Sequence, residues 1–93
     1  MDLALESVAE IIRVTAYAPQ LLKYLASAEK EVRYVEARTA IGADTGSMKI
    51  AFDILLQNTL INRRLKEVNA TDGIYESMLS PNPQGSILAK LLS

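Results

Sequence analysis

Two prolines and a glycine fall within the six residues Ser80-Pro81-Asn82-Pro83-Gln84-Gly85. No helix continues through such a stretch, because proline has no amide hydrogen to donate and its ring clashes with the carbonyl four residues back. The chain is thereby divided into residues 1–80 and residues 81–93, the latter a Pro/Gly linker followed by the apolar segment Ile87-Leu88-Ala89-Lys90-Leu91-Leu92. Further punctuation lies upstream. Pro19 either kinks a long helix or sits in the first turn of a new one. Ile41-Gly42-Ala43-Asp44-Thr45-Gly46-Ser47 holds two glycines and three capping side chains and marks the main turn. Asn69 to Gly73 reads as another stop.

Between these breaks the apolar residues recur at helical spacing. Asp2 is placed to cap a first helix, and Leu5, Val8, Ile11 and Ile12 recur along it up to about Ala18. Leu21, Leu25, Ala28, Val32, Val35 and Thr39 alternate steps of four and three, the spacing that keeps one seam against a neighbouring helix. Glu29 and Arg33 stand one turn apart beside that seam and can pair. A third helix is expected from about Met48 to Val68, with the stripe Ile54, Asn58, Ile61, Leu65 and Val68. Ile74 to Leu79 is expected to form a short helix. The fold class read from this pattern is all-α: a helical hairpin or small bundle with two long helices, a break near Pro19 and short carboxy-terminal helical pieces.

Composition narrows the chemistry. Ten Lys and Arg stand against eleven Asp and Glu, so no strong net field draws nucleic acid or an anionic membrane to the chain. Without Cys or His there is no disulfide, and the usual zinc ligands and the commonest general base near neutral pH are missing. No cofactor and no metal are expected. The amino terminus is acidic where a secretory signal would be basic, and no apolar run approaches the ~20 residues of a membrane span. A cytoplasmic protein is the expectation.

Asp44-Thr45-Gly46 matches the tripeptide of aspartic proteases, but such a site sits between strands, whereas here the neighbouring pattern is helical. Caps before a helix account for these residues. Arg63, Arg64 and Lys66 form a basic cluster. They are suited either to a helix carboxy terminus, where positive charge complements the dipole, or to phosphate. Asn58 falls in the apolar seam, and two readings stay open: a buried amide that fixes register and oligomer number in a helical assembly, or a partly exposed Asn at the edge of the stripe.

Aliphatic content of this order (49% apolar residues, 5% aromatic) exceeds what one hairpin hides and points to burial against another chain. The function expected is therefore non-enzymatic: a self-associating structural subunit or adaptor, as in bacterial secretion, motility or phage-type assemblies. Its partner would be a protein, either a second copy or a helical partner, with no strong nucleic-acid or membrane signal. The interaction residues expected are Leu21, Leu25, Val32, Val35, Ile54, Asn58, Ile61 and Leu65, with Ile87, Leu88 and Leu91 docking from the tail. Two alternatives stay open: a small enzyme using Asp44 or surface Glu carboxylates, and a nucleic-acid regulator using Arg63, Arg64 and Lys66.

Overall fold

The computed structural model describes residues 3–28, 30–69 and 71–92, with side chains from Glu6 onward. The proposed Asp2 cap and the Glu29 side of the Glu29–Arg33 pair lie outside the described residues. The order of elements is α1 (Leu3–Val14), α2 (Ala18–Ser27), β1 (Val32–Arg33), α3 (Tyr34–Ile41), α4 (Thr45–Gln57), β2 (Ile61–Asn69), β3 (Ile74–Pro81) and α5 (Pro83–Leu92). The three strands make one antiparallel sheet in the order β1-β3-β2. The fold is thus α+β, and the all-α expectation is corrected.

Three local events produce the difference. The seam expected over residues 21–39 is not one helix. Ala28 turns to an extended conformation, and Val32 and Arg33 pair with Leu79 and Met78, so tertiary strand pairing interrupts a pattern that has no Pro or Gly to announce the break. The helix expected to reach Val68 stops at Gln57. Asn58 takes the C-cap position, its side-chain amide donating to the Ile54 carbonyl at 2.8 Å, and Thr59 adopts a left-handed φ of 57°. From Ile61 to Asn69 the chain is strand. Residues 74–79, expected as helix, lie in the central strand β3.

The α1–α2 connection turns at Tyr17, whose φ is 66°, and Pro19 occupies the first turn of α2, where its missing amide hydrogen leaves no helical bond unmade. Around α2 the core closes. Ile12, Leu21, Leu22, Leu25, Met48, Leu55, Leu60, Leu79 and Leu88 are fully buried, and α2 packs against α3, α4, α5 and β3. The carboxy-terminal segment docks within the chain as α5, which lies against α2 and α1 and buries Leu88 and Ala89. Asn82 supports this arrangement: its side-chain oxygen accepts from the Gly85 amide at 2.8 Å, its backbone amide donates to the Leu60 carbonyl at 3.1 Å, and its side-chain amide donates to the Thr59 carbonyl.

Candidate nucleic-acid interface

Helices α3 and α4 are joined by three residues, Gly42-Ala43-Asp44. Gly42 ends α3 at φ 71°, where a side chain would be strained. The Gly42 and Ala43 amides return to the carbonyls of Thr39 and Arg38 at 3.1 Å each. Asp44 then starts α4: its carboxylate accepts from the Ser47 amide at 3.0 Å, and hydrogen bonding from Ser47 holds the carboxyl below its ordinary range. A short, glycine-containing turn between two helices is the kind of connection a helix-turn-helix uses.

Helix α4 is two-faced. Met48, Ala51, Phe52 and Leu55 are buried, and the Phe52 ring meets Tyr34 edge-on, with centroids 5.2 Å apart. Burial pushes the Tyr34 phenol up from its ordinary pKa. The opposite face presents Thr45, Gly46, Lys49, Ile50 and Gln57 to solvent, with Asp53 half-exposed among them. Ile50, 60% exposed, is an apolar side chain that the core does not use.

Beside α4 the β2–β3 hairpin projects into solvent, with every residue from Asn62 to Asn69 exposed. The Asn69 side-chain oxygen accepts from the Thr71 and Asp72 amides at 3.0 and 3.3 Å, its amide donates to the Asp72 carboxylate at 2.7 Å, and Gly73 turns at φ 64°. A cleft of about 390 Å³ separates helix from hairpin, lined by Arg33, Tyr34, Lys49, Phe52, Arg63 and Tyr75 among others.

The cations here differ in what they are doing. Lys49 donates to both Asp53 carboxylate oxygens at 2.9 Å. Arg33 pairs with Glu76 at 3.3 Å and Glu36 at 3.7 Å. Arg64 grips Glu31 with two nitrogens, the shorter contact 2.6 Å, and its guanidinium holds that carboxyl below its ordinary range. Among the described residues Arg63 and Lys66 make no ion pair. All three residues of the basic cluster lie on β2, so a helix dipole plays no part in their placement.

The residues singled out from the sequence are dispersed. Leu21, Leu25, Val32, Ile61 and Leu88 are buried in the chain's own core. Ile54 is half-buried on α4, and Asn58 caps that helix. Val35 on α3, Leu65 on β2 and Ile87 and Leu91 on α5 are each about half exposed. Lys49, Ile50, Asp53 and Tyr75 were not among the expected site residues. The short turn Gly42 to Asp44 between two helical patterns was the signal that would have raised the first three.

The sequence matches no family model and no curated protein. The fold does match solved structures. A mutant of MepR from a multidrug-resistant Staphylococcus aureus clinical isolate superposes on 100% of this chain with a TM-score of 0.71 at 15% identity. The complex of S. aureus MepR with DNA matches 95% of the chain with a TM-score of 0.67 at 17% identity. MepR, described as a transcription regulator of the multidrug efflux pump MepA, matches 96% with a TM-score of 0.67 at 14% identity. The chain spans 65%, 68% and 64% of those chains.

The expectation of a coiled-coil structural subunit or adaptor falls with the all-α fold on which it rested. The expectation of no nucleic-acid signal falls with the likeness to a regulator solved on DNA. Among the described residues no helix is long and apolar enough to cross a membrane. The two-helix turn, the outward face of α4 and the adjoining hairpin together are a winged helix.

Proposed function

We propose that this chain is the DNA-binding module of a transcription regulator, with α4 entering the major groove of a duplex and the β2–β3 hairpin following the backbone beside it. The observation that carries the reading is the outward face of α4. Its exposed side chains, Thr45, Ile50 and Gln57, are not spent on the core, and they stand next to a solvent-projecting hairpin bearing Arg63 and Lys66. A helix of this kind is wide enough to fill the major groove of B-form DNA, where base edges display distinct donors, acceptors and the thymine methyl group. In that setting Ile50 suits a thymine methyl, Thr45 and Gln57 supply hydrogen bonds to base edges, and Arg63 and Lys66 supply phosphate contacts that fix register. The likeness to a regulator solved in complex with DNA supports the same reading.

Selection of bound duplexes from a random library, followed by affinity measurement on the enriched sequence and on scrambled controls, tests it. Enrichment of a defined sequence, bound at least ~10³-fold tighter than the controls, is expected of a specific regulator. Absence of any enriched sequence at low salt would contradict it.

A further inference from the structure

Resting on that reading, we propose that Asp53 sets the DNA affinity of this module by keeping Lys49 from phosphate. Lys49 is the only basic residue in α4. Its ammonium sits 2.9 Å from both oxygens of Asp53, one turn along on the same outward face. The pair is exposed, with side-chain accessibilities of 65% and 40%, and its order, cation amino-terminal to acid, is the less stabilising one on a helix. Exposed pairs contribute little to folding, so the fold has no strong need of this one.

Its effect on a duplex is larger. DNA presents one negative charge per ~1.7 Å of axis, and each phosphate contact adds about 0.9 to the slope of log affinity against log salt. A carboxylate on the groove-facing helix both occupies the lysine that would make such a contact and repels the backbone. Arg33, on the far side of the cleft, is likewise occupied by Glu76 and Glu36. Of the cations on α4 and the β2–β3 hairpin, Arg63 and Lys66 have no ion pair among the described residues, Lys66 lying within electrostatic reach of Glu31, and two phosphate contacts from them give an expected slope of about −2. A module built this way holds non-matching DNA weakly and leaves discrimination to base contacts.

Fluorescence anisotropy of labelled random-sequence and enriched duplexes across a salt series, using wild type, Asp53→Asn, Lys49→Ala and the double variant, tests the proposal. Asp53→Asn is expected to tighten random-duplex binding about tenfold at ~0.05 M salt and to steepen the slope by ~1. Lys49→Ala should have little effect alone and should cancel the gain in the Asp53→Asn background. Asp53→Glu, which keeps the carboxylate, should behave as wild type. Unchanged affinity and slope in Asp53→Asn, with wild type still binding, would overturn this proposal and leave the DNA-binding reading standing. So would a loss from Lys49→Ala as large in wild type as in Asp53→Asn. Failure of all five proteins to bind any duplex would overturn both.

Discussion

A Cβ atom on Gly85 would stand 1.9 Å from the carbonyl oxygen of Leu60, so the first turn of α5 rests directly on the backbone that links α4 to β2. The obstacle is main chain and cannot move aside as a side-chain end would. Gly85→Ala would ordinarily favour a helix by up to ~1 kcal/mol. Here the clash dominates, and a loss of about 3 kcal/mol is expected in urea unfolding. Gly46 is the control. Its nearest neighbour to an added Cβ is an Asp44 carboxylate oxygen at 3.4 Å, so Gly46→Ala should raise stability by about 0.5–1 kcal/mol.

Asp44 carries a pH dependence whose sign follows from its hydrogen bonds. Ser47 holds the carboxyl below its ordinary value of 3.8 in the folded chain. A depressed folded-state pKa contributes stability that is complete above the unfolded value and is lost as pH falls through the folded one. Asp44→Ala is expected to lower Tm by several degrees at pH 7. Asp44→Asn, an equally good cap that does not titrate, should match wild type there. Thermal melts from pH 7 to pH 2 should show Asp44→Asn losing less stability than wild type below about pH 4. Parallel curves for the two would contradict the capping account.

Leu65 and Leu79 separate the observed strands from the helices expected over residues 48–68 and 74–79. Leu79 is fully buried in the central strand while Leu65 is 55% exposed on the hairpin. Leu79→Ala should cost about 2–5 kcal/mol. Leu65→Ala should stay within about 0.5 kcal/mol. Equal losses in chemical denaturation would argue against this hairpin.

Single caps and turns were readable and the architecture was not, for physical reasons that specific residues display. Asp44 and Gly42 announce themselves because caps and turns depend on single residues, whereas in the Ser80–Gly85 stretch Pro81 ends β3 and Pro83 already begins α5. The strands give no such sign. A strand shows in sequence as alternation when one face is buried, yet β2 buries only Ile61, and Ile61, Leu65 and Val68 then fall by coincidence into helix-like steps of four and three. Asp72-Gly73 between two apolar-containing runs was the available hairpin signal. The interface was obscured for a related reason: a net charge of −1 averages away the local contrast between paired and unpaired cations.

That contrast makes a graded prediction for the hairpin. Arg63→Ala and Lys66→Ala should each make the salt dependence of duplex binding shallower by about 1 in slope, leaving stability unchanged. Arg64→Ala should alter the slope little, since its guanidinium is already engaged by Glu31. Titration of each variant with the enriched duplex at four or more salt concentrations checks this. A slope change for Arg64→Ala as large as for Arg63→Ala would show that the Glu31 pair opens on DNA.

The central claim is that α4 and the β2–β3 hairpin form one DNA-facing surface, and chemical-shift mapping tests it most directly. Titrating the ¹⁵N-labelled chain with the enriched duplex should shift amides along Thr45–Gln57 and from Asn62 to Ser77, while those of α1 and the exposed side of α5 stay in place. Shifts concentrated on α1 and α5, with α4 unperturbed at saturating duplex, would contradict it.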